Sequence, residues 1–227
     1  LKSGNMLLFD GGLESNLLYA GDMTRTFPVD RKFTAIQNDL YQMVLDAQKT
    51  AIRKSAVGVK FLDVHLAASR TLVNGLIDLG IMKGDAEEAV NAGAHTMFFQ
   101  CGLGHLMGLD VHDMENLGEQ YVGYGGGMIK SKEFGLKSLR LGRTLEDGNV
   151  ITIEPGVYII PELIDRWKEE GKHQNFIDYS ALEQIRDFGG IRIEDDYLIT
   201  NSGIKLLGEP LVKEIKDIEK IRGIANQ

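Results

Sequence analysis

Two aspartates flank a glycine-containing turn near the start of the chain, in the stretch FDGGLESNLLYAGDMTRTF at residues 9–27. Asp10 follows the apolar run Met6-Leu7-Leu8-Phe9. Asp22, twelve positions later, precedes Met23-Thr24-Arg25-Thr26-Phe27, which alternates as a strand does. Gly11, Gly12, Asn16 and Gly21 lie between them. The pattern predicts two antiparallel strands joined by a turn, with one carboxylate on each. Carboxylates held side by side repel unless something cationic lies between them. Any fold built around this hairpin must therefore bring other groups to hold that cation.

The rest of the chain alternates helices with short strands. Thr34 is placed to cap a helix from Ala35 to about Ser55, in which Ile36, Leu40, Met43, Val44, Ala47 and Ala51 recur at helical spacing. A second helix is predicted over Leu62 to Leu79, stopped by Gly80, and a short third over Asp85 to Ala92. Residues 97–112, MFFQCGLGHLMGLDVH, read as buried strand, tight turn and strand. Residues 113–138 form a long glycine-rich loop of the kind that more often serves function than idles. Val150 to Glu154 reads as a strand broken by Pro155-Gly156 and resumed to Ile160. Residues 161–187 read as helical, 191–200 as one strand, and the tail from Glu209 as a charged amphipathic helix. Strands at 6–27, 97–112, 150–160 and 191–200 with helices between them predict an α+β fold with a largely antiparallel sheet, in one domain spanning 1–227.

Composition narrows the partners. A net charge of −8 disfavours nucleic acid and anionic membranes. One cysteine, Cys101, excludes an intrachain disulfide framework and suits a reducing, cytoplasmic compartment. No apolar run is long enough to span a bilayer, and there is no signal-peptide pattern.

Each predicted strand region carries a metal-capable residue in apolar surroundings: Asp10 and Asp22, His105, Glu154, and Glu194. An ionised carboxylate in a buried strand is costly unless paired or bound to metal. Four carboxylates and one imidazole form a hard, oxygen-rich set suited to Mn²⁺, Co²⁺, Zn²⁺ or Fe²⁺. Two divalent ions would balance the four negative charges. Taken singly, each acid also fits a turn or cap residue, and His105 a satisfied core histidine.

Four blocks carry a resemblance. DMTRTFP at 22–28, GLGHLMGLDVHD at 102–113, TIEPGVYII at 152–160 and GGIRIEDDYLIT at 189–200 resemble, in order, the signature blocks of the creatinase/aminopeptidase family, M24. The resemblance implies a pita-bread fold, a curved, mostly antiparallel sheet flanked by helices. It implies two divalent ions, Mn²⁺ foremost, held by Asp10, Asp22, His105, Glu154 and Glu194, with Asp22 and Glu194 bridging. A metal-bridging hydroxide would hydrolyse an Xaa-Pro bond, Glu154 would shuttle the proton, and His112 would steady the oxyanion. Arg140 would hold the substrate's C-terminal carboxylate, and Arg192 would lie beside the ligands or the substrate. The alternative for Arg140 is a solvated surface charge. The segment FGLKSLRLGRTLEDGNVITIEPGVYII looks most like the prolidase branch, which takes dipeptides. The other readings are an aminopeptidase P acting on longer peptides and a non-catalytic pita-bread binding module. Relatives are commonly homodimers.

Two departures from the family pattern stand out. Prolidases usually have histidine four residues before the ligand histidine, where this chain has Cys101, whose blander reading is a small buried filler. Family members also place the hairpin aspartates one position closer; the extra residue falls around Leu17-Leu18, where a bulge could absorb it. The family's catalytic domain begins before its hairpin, so the resemblance further implies that Leu1 opens partway into a larger domain and that an N-terminal creatinase-like domain is absent.

Overall fold

A computed structural model describes residues 1–224. The hairpin forms as the pattern predicts: β1 (Met6–Glu14) pairs antiparallel with β2 (Ala20–Pro28) from Met6↔Pro28 to Glu14↔Ala20 without a bulge. The extra residue is absorbed in the loop 15–19 instead. There Leu18 takes φ 67° and Ser15 closes the turn by bonding Tyr19 backbone to backbone.

Two helices back the sheets. In α1 (Ala35–Lys54), Thr34 caps the first turn and Gln37 returns a side-chain bond to the Thr34 backbone, a reciprocal capping box. α2 (Phe61–Asp78) packs on α1, and α3 (Ala86–Asn91) starts at an Asp85 cap. The core between them and the strands is aliphatic and aromatic, with Leu40, Val44, Phe61, Leu72, Ile151, Ile153 and Ile191 fully buried or nearly so.

The remaining strands make two small antiparallel sheets. β3 (Val150–Ile153), β6 (Asp195–Thr200) and β7 (Gly203–Leu206) form one in the order β3-β6-β7, while β4 (Gly156–Tyr158) and β5 (Gly190–Arg192) form the other. The single strand expected over 191–200 is thus interrupted at Ile193-Glu194, opposite the break at Glu154-Pro155. The break leaves the carbonyls of Ile153 and Ile193 facing α1, where the Gln48 amide lies 3.3 and 3.4 Å from them. A buried amide on the helix thus partners backbone that the sheet ladder cannot. Both candidate glutamates sit at this double break.

Three other expectations need correction. Residues 97–112 contain no regular strand: Ala94–Met97 is a short helical turn, and beyond it only the Leu106↔Ile151 bridge is strand-like. The segment still runs along β3, exchanging backbone bonds at Leu103, His105 and Met107. It lies so close that a Cβ at Gly104 would come within 2.1 Å of the Thr152 carbonyl oxygen. The helix expected over 161–187 is two, α4 (Pro161–Glu169) and α5 (Tyr179–Glu183), separated after Gly171 at φ 63°. The tail helix α6 begins only at Ile215 (Ile215–Ile224). Pro210 biases the residue before it away from helix, and the carbonyls of Leu211, Val212 and Lys213 are taken by side chains of β2 and α1.

Candidate metal centre

Asp22, His105 and Glu194 come together from β2, from the segment beside β3 and from the strand break. One ligand atom of each lies within 4.8 Å of the others. Strand alternation accounts for most of what surrounds them, since every second residue faces the same side. Asp22, Thr24 and Thr26 share a face of β2. Thr152 points with Glu154, and Glu194 with Asp196.

His105 is the pivot. Its Nε2 lies 3.5 Å from Glu154 Oε1 and 3.6 Å from Asp22 Oδ2. Its Nδ1 lies 3.1 Å from the Leu106 carbonyl, an acceptor that fixes the proton on Nδ1 and leaves Nε2 for the carboxylate side. Burial pulls the imidazole pKa down, but the neighbouring Asp22 and Glu154 carboxylates and the Leu106 carbonyl carry it above the usual histidine value. In turn the imidazole, with Arg192 and His112, holds the Asp22 carboxyl below its usual range against the burial penalty.

The two glutamates are pushed upward, above all by burial and then by mutual repulsion with the other acids. Thr152 Oγ1 lies 3.3 Å from Glu154 Oε1, and Thr24 Oγ1 donates to Glu194 Oε2 at 2.6 Å. Glu194 Oε1 is buried without a hydrogen-bond partner, as is Oδ1 of Asp196, whose Oδ2 accepts from the Asp22 backbone N–H at 3.0 Å. Burial lifts Asp196 to a pKa of about 6. Buried carboxylate oxygens without donors are costly. Together with an imidazole they form the hard donor set that divalent cations take. The residues present therefore fit a divalent metal centre.

The other candidates lie around this group. Asp10 is on the same face as Asp22, two register steps along β1, but its half-exposed carboxylate pairs with Arg192 and stands outside the close group. Arg192 also donates from Nε to Thr24 Oγ1 and from Nη1 to the Tyr158 hydroxyl, both at 3.0 Å, and its Nε sits 3.8 Å from Glu154 Oε2. His112 is exposed and stands edge-on to His105, ring centroids 4.5 Å apart; desolvation and the charge of His105 lower its pKa. Arg140 pairs with Glu115 and shares a cleft of about 220 Å³ with Cys101, His112 and Glu154. Its side chain is 39% exposed at the rim of that cleft. Cys101 is exposed on this cleft, so it is no buried filler.

Sequence reasoning singled out the charged residues and passed over Thr24, Thr152 and Asp196. The period-two alternation that places Glu154 and Glu194 in strands also places these three on the same faces, and that signal could have found them.

Comparison with known proteins gives the family. The model of metallopeptidase family M24 matches residues 1–201. A probable Xaa-Pro aminopeptidase of Pyrenophora teres f. teres is 40% identical over 221 residues, covering 97% of this chain and 45% of that protein. Human Xaa-Pro dipeptidase is 38% identical over 207 residues, covering 91% of this chain and 40% of that protein. Among solved structures, Zn-substituted Escherichia coli aminopeptidase P in complex with product matches with a TM-score of 0.76 at 36% identity, over 100% of this chain and 43% of that one. Aminopeptidase PepP of Pseudomonas aeruginosa matches with a TM-score of 0.75 at 30% identity. The small antiparallel sheets with their helices are part of the pita-bread fold of these aminopeptidases. The chain spans less than half the length of the relatives it matches. Among the described residues, no helix is long and apolar enough to cross a membrane.

Proposed function

The chain belongs to metallopeptidase family M24, and from that premise we propose that residues 1–227 form part of the catalytic domain of an Xaa-Pro peptidase that cleaves dipeptides. The observation that carries the proposal is the convergence of Asp22, His105 and Glu194, with Glu154 3.5 Å from His105 and Arg140 on the cleft beside it. Asp10, Asp22, His105, Glu154 and Glu194 would hold two divalent ions, with Mn²⁺ the first choice for so oxygen-rich a set. When bound, such ions supply Lewis acidity and make water ionise near neutral pH.

The chain's own groups then divide the remaining work. Glu154, its carboxyl pushed up to a pKa of about 6 by burial, is basic enough to take up a proton during the reaction and pass it to the departing proline nitrogen. His112, kept neutral, offers an N–H to the scissile carbonyl oxygen as charge develops there. Arg140 presents a planar fork on the cleft for the free carboxylate of a dipeptide, which favours short substrates. Arg192 neutralises the acids around it and tethers Asp10. A proline amide has no N–H, so a site without an acceptor at that position leaves nothing unpaired when proline binds.

The second reading is an aminopeptidase acting on longer peptides, favoured by the names of the fungal and bacterial relatives. Hydrolysis of Gly-Pro and Gly-Pro-Pro by the full-length protein with Mn²⁺ separates the two. Faster turnover of Gly-Pro supports the dipeptidase. Preference for the tripeptide gives the site to the aminopeptidase reading. Absence of metal uptake together with no hydrolysis of either sinks both and returns the chain to a binding role. A homodimer in a reducing, cytoplasmic compartment fits the family resemblance and the free thiol of Cys101.

A further inference from the structure

The backbone around Glu194 is fastened from behind by one side chain. Arg25, between Thr24 and Thr26 on β2, points to the face opposite Asp22. An arginine has five N–H donors in a fixed fork, and here all five have an acceptor. Nη1 donates to the Thr24 carbonyl at 3.0 Å and to the Glu194 carbonyl at 2.6 Å. Nη2 donates to Asp195 Oδ1 at 2.5 Å and to the Leu211 carbonyl at 3.1 Å, and Nε to the Val212 carbonyl at 3.1 Å. The residues so joined come from three places: β2, the strand break that carries Glu194, and an extended strap at 211–213.

The strap is anchored in turn. Lys213 Nζ reaches Asp195 Oδ2 at 2.6 Å and Gln48 Oε1 at 2.9 Å, and its carbonyl accepts from the Tyr41 hydroxyl at 2.9 Å. Asp195 is therefore held by two cations, and its side chain is 4% exposed. Across the sheet, Thr24 Oγ1 holds the Glu194 carboxylate and the Glu194 N–H bonds the Thr24 carbonyl at 3.0 Å. The strap lies beyond residue 201, where the match to the family model ends.

We propose that the strap at 211–213, acting through Arg25, is the positioning device that holds Thr24 and Glu194 in register at the metal centre. The inference rests on the metal-centre reading for its purpose, but not for its geometry. A lysine at position 25 keeps the charge and loses the fork, so it can reach one or two of the five acceptors. Strap and centre then part company while the apolar core is untouched.

Amide hydrogen exchange on the full-length protein, without added metal, tests the geometry. In Arg25→Lys the Glu194 amide is expected to exchange at least tenfold faster, with α1 and α2 at wild-type protection. Lys213→Met, which loosens the strap without touching the hairpin, is expected to give a smaller change of the same pattern. Unchanged exchange at Glu194 in Arg25→Lys overturns the proposal, and so does an equal loss across α1, α2 and β6, which marks a general structural role. A parallel Mn²⁺ titration reads the purpose: Arg25→Lys should bind at least tenfold more weakly, and wild-type affinity in that variant also overturns the proposal. If the wild-type protein takes up no Mn²⁺, the metal-centre reading fails, while the exchange result still decides whether strap and hairpin are coupled.

Discussion

His65 and His105 are buried to nearly the same extent, 1% and 2% exposed, and their acid–base behaviour moves in opposite directions. His65 lies in α2 against Phe99 and within 6.4 Å, ring to ring, of His95. Neither ring nitrogen of His95 and not Nδ1 of His65 has a hydrogen-bond partner. Desolvation takes the pKa of His65 to about 3 and of His95 to about 4. His105 suffers the same desolvation, yet two carboxylates and a carbonyl raise it past its ordinary value. Burial alone therefore says little about what a histidine does. The partner atoms decide, and only the His105 environment contains the anions that a metal centre needs.

The largest expected effect tests the anions themselves. Asp22→Ala in the full-length protein should abolish divalent-metal uptake and lower kcat/KM on an Xaa-Pro substrate on the order of 10³-fold or more. Metal analysis and a hydrolysis assay check it. A variant that retains two ions per chain would remove Asp22 from the ligand group. Next comes a direct contrast of the two histidines. His105→Gln should weaken Mn²⁺ binding by more than about 10-fold, the lower end of what loss of a ligand's mere hydrogen-bond partner costs, while the fold persists. His65→Leu should leave Mn²⁺ affinity alone and change stability by less than about 1.5 kcal/mol, since it swaps an uncharged buried ring for a similar volume. Calorimetric titration and urea unfolding on both variants distinguish them. Equal metal loss in the two would collapse the contrast.

The contrast also shows what could be read from residues alone. The α1 cap at Thr34, the α2 helix and the break at Pro155 follow from local chemistry, and the structure carries each of them. The acids were legible because a carboxylate in an apolar strand is costly enough to demand an explanation. The break at Ile193-Glu194 was not legible, because the groups that partner its backbone come from distant positions, Gln48 on α1 and Thr24 and Arg25 on β2. The segment at 97–112 misled for a related reason: its apolar pattern matches a strand, but Gly104 lets it lie against Thr152 in an irregular path. Asp10 and Asp22 look equivalent along the chain. Only the pairing of β2 with the break separates them, leaving one in the close group and the other tied to Arg192.

Acid should expose the core pair next. The folded-state pKa values of His65 and His95 lie below the unfolded value near 6.5, so between them the unfolded chain binds more protons. Their contribution to stability is therefore complete above about pH 6.5 and is lost as pH falls toward 4 and 3. The loss amounts to at most about 1.4 kcal/mol per pH unit for each histidine. Urea unfolding at pH 7 and pH 5 measures it, and His65→Leu should reduce the slope. An unchanged slope in that variant would place the titrating groups outside the core pair.

Cys101 should give the smallest effect, and it sharpens the contrast from the other side. It borders the same cleft as Glu154 and His112, yet its sulfur is not in the group formed by Asp22, His105 and Glu194. Partial desolvation by the cleft wall and the nearby Glu154 charge raise the thiol pKa, so it stays protonated and makes a poor metal ligand. Cys101→Ser should therefore shift stability by less than about 0.5 kcal/mol. Mn²⁺ affinity should change by no more than about twofold, since the sulfur lies outside the ligand group. A tenfold loss of Mn²⁺ affinity in Cys101→Ser would mean that proximity to the cleft suffices to matter, and that the close group has been drawn too narrowly. A silent substitution leaves the centre to residues whose atoms meet, which is the distinction that separates His105 from His65.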